Sequence, residues 1–234
     1  MQRLSRTQVI KLAKETGNVS GYDLSGLNLS NLDLIAVQFK GSNLQGTNLS
    51  SSNLSMSNFD NTELSNCNMS SSNFIGARFK KANLENSDLT FSSFVGSDFS
   101  EATLKDVNFT NSKISVANFE KAELSGANIQ MTEAVLIRMV DATLQNTNAY
   151  GSSMIGADFS GANLHGAMLH GADLSGANLS SADLREASLI ETVLIAADLT
   201  DADLRGSRLR SADMTRANLN GAKLDDALIQ NSTK

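Results

Sequence analysis

GANLHGAMLHGADLSGANLS, residues 161–180, repeats on a beat of five: Ala, usually Asn or Asp, Leu, a polar residue, Gly. Five is neither the 3.6-residue period of a helix nor the two-residue alternation of a strand. The beat extends in both directions without a slip. Its centres run Leu24, Leu29, Leu34, Phe39 and onward to Leu219, Leu224 and Ile229, which makes 42 units. Only Ala134 and Ala149 are small among them. Two residues before a centre stands a small residue, as in Ser42, Thr47, Ala77 and Ala162. Two residues after it stands Gly in fourteen cases, with Gly21 in the same phase after Val19, and Asn in others such as Asn31, Asn61 and Asn66. Both residues tolerate the positive φ required at the third position of a type II turn. Each unit therefore places two residues inward and then turns a corner.

The large side chains give the number of corners. Phe39, Phe59, Phe79, Phe99, Phe119 and Phe159 are separated by multiples of 20, and Leu recurs at every step of 20 from Leu24 to Leu224. Four units make one circuit, a square coil with like residues stacked on like. The 42 units make about ten coils, a rod roughly 50 Å long at about 4.8 Å per coil. Each buried Leu or Phe contributes about 1.5–3 kcal/mol, while ordering the backbone costs about 1–2 kcal/mol per residue. One coil alone is unstable, and neighbouring coils supply the surplus.

The A-[DN]-L-x-x unit of GADFSGANLHGAMLHGADLSGANLSSADL (156–184) resembles the pentapeptide-repeat family over residues 20–231. That resemblance implies an all-β fold, a right-handed quadrilateral β-helix; the spacing itself does not give the hand. The chain divides into an N-terminal helical cap, 1–19, and the repeat coil, 20–234. Ser5 and Gln8 have capping-box spacing, Leu4 and Val9 have staple spacing, and Gly17 suits a helix end. A helix over 5–16 is expected to lay Val9, Leu12 and Ala13 on the first coil. The C-terminal stretch ALIQNSTK shows no comparable cover, so its edge is a candidate for homodimer pairing. MTEAVLIRMV (131–140) breaks the composition but keeps the phase. It is expected to be a locally distorted coil in which Ile137 and Met139 offset the small Ala134.

Composition excludes several functions. Aromatics are 5% of residues, Trp and Pro are absent, and the formal net charge is −6, which disfavours direct nucleic-acid binding. No apolar run approaches membrane-spanning length, and the basic N-terminus lacks the apolar core of a secretory signal, so a cytoplasmic protein is expected. The single Cys67 holds an inward position, a buried thiol with no histidine in its coil. His165 and His170 point outward on adjacent sides and lack a third ligand, so no metal is expected. Asp158, Asp173, Asp183, Asp198 and Asp203 recur too regularly to be catalytic pairs and suit local backbone bonding. No enzyme motif and no cofactor fingerprint is present.

The outward positions vary, and function is expected there. The side that begins at Leu34 carries a broken apolar strip: Ile35, Met56, Ile75, Val95, Val116, Val135, Leu136, Ile155 and Ile195. Phe91 and Met131 lie on the neighbouring side. Contiguous exposed apolar surface marks an interaction site. His165, Arg185, Arg205, Arg208 and Arg210 form a candidate basic patch near the C-terminal end. The expected function is a non-enzymatic rod or scaffold that binds a protein partner through its sides. The resemblance also implies an alternative, since some members mimic DNA and bind gyrase. Duplex DNA carries one charge per about 1.7 Å, so a 50 Å rod would need about 30 negative charges. The rod here has 15 basic and 24 acidic residues, a net of −9.

Overall fold

The computed structural model describes residues 1–233. Its repeating interaction is a parallel β-bridge between each residue that precedes a centre and the residue 20 positions later. The bridges form four columns, which begin Asp23↔Asn43, Asn28↔Asn48, Asp33↔Asn53 and Gln38↔Asn58. We name the four faces after their first centres: Leu24, Leu29, Leu34 and Phe39. The ladder also reaches the N-terminal residues, through Arg3↔Asp23 and Asn18↔Gln38.

Every corner position two residues after a centre has positive φ, whether Gly or not. Most corners close with the amide three residues after a centre donating to the centre's carbonyl, such as Ser42 N to Phe39 O at 3.0 Å and Ala77 N to Phe74 O at 2.9 Å. The corners at 31, 51 and 71 use another device. Leu32, Ser52 and Ser72 donate their amides to the hydroxyls of Ser52, Ser72 and Ser92, one coil on, at 3.1, 3.2 and 2.9 Å. Those hydroxyls in turn donate to the carbonyls of Leu29, Leu49 and Met69. A buried amide without a partner is costly, so serine before these centres satisfies a corner that makes no local bond.

The core is one continuous column of Leu, Phe, Met, Ile and Ala. Phe39, Phe59, Phe79, Phe99 and Phe119 stack with ring centroids 4.6–4.9 Å apart. Phe74 and Phe94 stack beside them at 4.9 Å and meet the first column edge to face. Residues 131–140 are regular, which corrects the expected distortion. Ala134 N and Met139 N bond to Ser153 O and Asp158 O at 2.7 Å, the length found throughout the ladder. Ile137 and Met139 are fully buried and replace the volume missing at Ala134, so the backbone does not move.

Helix α1 spans Arg6–Thr16, with the Ser5–Gln8 capping box formed and Gly17 closing the end in the left-handed region. Val9 is fully buried, and Leu12 and Ala13 pack against the core. Arg6 donates to the carbonyls of Asn28 and Ser30, which ties the helix to the second face.

Candidate functional site

The recurring aspartates are structural. Asp158, Asp173, Asp183, Asp198 and Asp203 each accept the amide of the residue two positions on, at 2.9–3.3 Å. Cys67 is buried, donates to Leu44 O, and has its thiol pushed up to about 12 by desolvation. A thiol at that value is not an active nucleophile at neutral pH. His170 stacks on Tyr150 with centroids 5.4 Å apart and lies 3.7 Å from Glu191. His165 is half-buried on the Leu24 face. Among the described residues, no cluster of three metal-ligating side chains occurs.

The arginine patch is split. Arg185 and Arg205 stack one coil apart on the Leu24 face, and each clasps the Asp two residues before it. Their guanidinium groups reach Asp183 at 2.6 and 2.8 Å and Asp203 at the same distances. The Arg205 hydrogen bond lowers the Asp203 carboxyl to about 2. His165 shares this shallow surface with Arg185, Arg205, Glu186 and Asp226. Arg208 and Arg210 are exposed on the adjacent Leu29 face. The sequence columns aligned Arg185 with Arg205 but did not show that the neighbouring aspartates offset them.

The apolar strip is where the outward surface departs most from the repeat. Ile35, Met56, Ile75, Val116, Leu136, Ile155 and Ile195 are exposed, while Val95 and Val135 are half-buried. Met56 and Leu136 sit at positive-φ corners and lean over the glycine one coil on. A Cβ at Gly76 would lie 3.8 Å from Met56, and one at Gly156 only 2.8 Å from Leu136. Glycine there makes room for the overhanging chain. Val116 has φ 52, an outlying conformation for a β-branched residue.

Among the described residues, every exposed large apolar side chain except Met1 lies on the Leu29 or Leu34 face. Phe91 and Met131 stand on the edge between the two. Tyr150, Met168 and Leu228 were missed in the sequence; Met168 and Leu228 hold the position that Asn or Asp fills elsewhere, which is a readable signal. Charge follows the opposite distribution. Between residues 34 and 112 the Leu29 and Leu34 faces carry one charged residue, Asp88, against eleven on the other two faces. On the Phe39 face the charges pair across coils: Arg78–Asp60 at 2.8 Å, Lys80–Glu101 at 3.2 Å and Arg138–Glu120 at 3.1 Å.

The family description "Pentapeptide repeats" matches in eight copies across residues 20–55, 52–90, 67–106, 104–134, 137–176, 172–210 and 193–231. HetL, a pentapeptide repeat protein involved in heterocyst differentiation regulation from the cyanobacterium Nostoc sp. strain PCC 7120, is 26% identical. It aligns over 96% of both chains with a TM-score of 0.70. QnrB1, a plasmid-mediated fluoroquinolone resistance protein, is 26% identical over 74% of this chain and 91% of its own, with a TM-score of 0.47. Rfr23 from the cyanobacterium Cyanothece 51142 is 20% identical over 53% of this chain and 98% of its own, with a TM-score of 0.39. No curated protein matches the sequence.

Proposed function

Because the chain belongs to the pentapeptide-repeat family, we propose that it is a non-enzymatic rod that binds another protein through its Leu34 face. The rod in this reading is a right-handed quadrilateral β-helix of about ten coils whose first coil is covered by α1, and it works in the bacterial cytoplasm. The right hand agrees with the strong preference of parallel β-crossovers. One observation carries the reading. The exposed large apolar side chains gather on two adjacent faces, while between residues 34 and 112 the charges gather on the other two. β-propensity alone would scatter Ile and Val over all four sides. HetL, which aligns over 96% of both chains, is involved in heterocyst differentiation regulation, a role that suits a binding rod.

The test is capture of host proteins by immobilised rod, with the Ile75→Ser, Val95→Ser, Ile155→Ser variant alongside. The reading expects specific capture that the variant loses. Equal capture by both overturns it.

A gyrase-directed DNA mimic is the second reading. The family includes such proteins, but here the acidic residues are partly neutralised by ion pairs along the Phe39 face, and the net −9 falls well short of a duplex. A supercoiling assay with purified protein is expected to show no effect on gyrase. Inhibition, or protection from a quinolone, would reverse the order of the two readings.

A further inference from the structure

We propose that the occupant of the Leu34 face is a second copy of the chain, lying antiparallel, with a two-fold axis that crosses the rod at the coil of Ser115 and Val116. This rests on the reading that the Leu34 face docks a protein and names the protein.

The sequence along the face is a palindrome. The column that follows its centres reads Ile35, Ser55, Ile75, Val95, Ser115, Val135, Ile155, Ser175, Ile195. An axis along the strand direction at Ser115 reverses the rod and keeps columns facing like columns. Ile35 then meets the second copy's Ile195, Ile75 meets Ile155, Val95 meets Val135, and serine meets serine. Bridges join every residue to its counterpart 20 positions later, so the columns stay in register along the rod and the match applies to whole faces.

The corner column supports the same axis by size. Met56 falls opposite Gly176, Leu136 opposite Gly96, Gly76 opposite Gly156, and Ala36 opposite Ala196. A Cβ built on Gly96 or Gly176 would touch nothing within 4 Å, so both offer open space to the bulky chain across the axis. Val116 faces itself. On the edge shared with the Leu29 face, exposed Phe91 falls opposite exposed Met131, and thioether sulfur packs well against an aromatic ring.

Charge agrees. Asp33, Glu133 and Asp173 would face Val193, Ser93 and Asn53, so no acid meets an acid. Lys113 faces its own counterpart, but each Lys113 is held 3.4 Å from its own Glu133. Competing registers fail on the same residues. Moving the axis by half a coil sets Ser55 against Ile195, Ile75 against Ser175 and Ser115 against Val135. Parallel rods would set Ile35 against Asp33 and Val135 against Glu133.

The matched strip is nine coils, about 43 Å long at about 4.8 Å per coil. With a width of about 10–15 Å it buries on the order of 600 Å² per copy, at the low end for a specific interface. Assembly is therefore expected to depend on concentration. Val116 is the one β-branched residue among the non-glycine corners at positive φ, and it stands at the self-facing position.

Three variants test the register. Val116→Lys sets two cations against each other across the axis. Lys81 and Lys121 occupy equivalent corners at φ 58, so the variant is expected to fold with an unchanged circular-dichroism spectrum. Light scattering is expected to show a dimer for the parent at high concentration and a monomer for this variant. Val116→Cys is expected to cross-link to itself on mild oxidation, reversed by reductant, with buried Cys67 giving no background. Ile35→Cys and Ile195→Cys are expected to cross-link only when mixed. A parent that stays monomeric at every concentration overturns the proposal. If host-protein capture still depends on Ile75, Val95 and Ile155 in that case, the docking reading survives without it. A dimer unaffected by Val116→Lys, or self-linking of Ile35→Cys, also overturns it and points to the C-terminal edge or to parallel rods.

Discussion

Between Phe39 and Phe119 the rod is filled with rings, and between Ala157 and Ala212 it is filled with Leu and Ala. Eight of the ten phenylalanines are buried in the first region and one, Phe159, in the second. The corners differ in parallel. Positions 51, 56, 61, 66 and 71 are Ser, Met, Asn, Asn and Ser in the left-handed region, whereas 151, 156, 161, 166, 171 and 176 are all Gly. Left-handed backbone costs a non-glycine residue about 1–2 kcal/mol. The first region carries that strain where ring stacks and serine hydroxyls hold adjacent coils together. The relaxed corners are confined to the run from Gly151 to Gly176, since positions 181, 186, 191, 196, 201 and 211 are again non-glycine residues at positive φ. One backbone thus tolerates two interior solutions, because the 20-residue circuit and not the side-chain volume sets the register.

The largest expected effect that would break this comparison is Phe79→Ala. Phe79 contacts Phe59, Phe99, Phe74 and Phe94, with centroids 4.6–5.9 Å away, and its loss is expected to cost about 3–5 kcal/mol. Leu179→Ala, five coils along the same column, removes less area and is expected to cost less. Urea unfolding gives both values, and equal losses would mean that the two regions are packed alike. Because coils contact only their neighbours, hydrogen exchange in the Phe79 variant should quicken first around residues 59–99.

Next in size is Ser72→Ala. It leaves Ser52 N without its hydroxyl partner and Leu49 O without its donor, at an expected cost of about 1–3 kcal/mol. The same measurement on Ser175→Ala, an outward serine of the second region, should show almost no change. The third is an overpacking. Ala149 is buried among Ile129, Leu144, Met154, Phe159, Leu164 and Leu169, with no space between them that would hold a water. Ala149→Leu is therefore expected to cost about 1–3 kcal/mol in the same measurement. A gain in stability would show that the core beside Ala149 is loosely filled.

The smallest effect is electrostatic. The hydrogen bond from Arg205 takes the Asp203 carboxyl from its ordinary 3.8 to about 2, and that from Arg185 lowers Asp183. A depressed carboxyl stabilises the fold fully above its unfolded value and loses that contribution as pH falls through the folded value. Stability should therefore decline between about pH 4 and pH 2. Asp203→Asn should flatten part of that slope, because the variant already lacks this contribution at neutral pH and approaches the parent only at low pH. The exposed pairs are screened by solvent, so the change is small.

Much of this was legible from the sequence, because a five-residue beat leaves few folds available. The corners, the inward columns, the Phe stack, α1 with its capping box and the structural role of the aspartates all follow from residue type at a fixed phase. Three features were not legible. The serine-closed corners depend on which carbonyl lies 23 residues back in space, and a hydroxyl reads the same as any small residue in the pattern. At residues 131–140 the sequence showed that Ile137 and Met139 offset Ala134, but not that they do so with the ladder bonds of the backbone undisturbed. The weakening of the arginine patch depended on side-chain rotamers that bring Arg185 and Arg205 back onto Asp183 and Asp203. The apolar strip was visible once residues were sorted by side, but the glycines that leave room beside Met56 and Leu136 gain meaning only from the stacking of coils.

The central claim is that recognition resides on the Leu34 face while the beat builds only the rod. Sedimentation of the parent and of the Ile75→Ser, Val95→Ser, Ile155→Ser variant across a concentration series tests it most directly. The account predicts equal melting temperatures, because these side chains are exposed or half-buried, together with loss of association in the variant alone. Association that persists unchanged in the variant would contradict it.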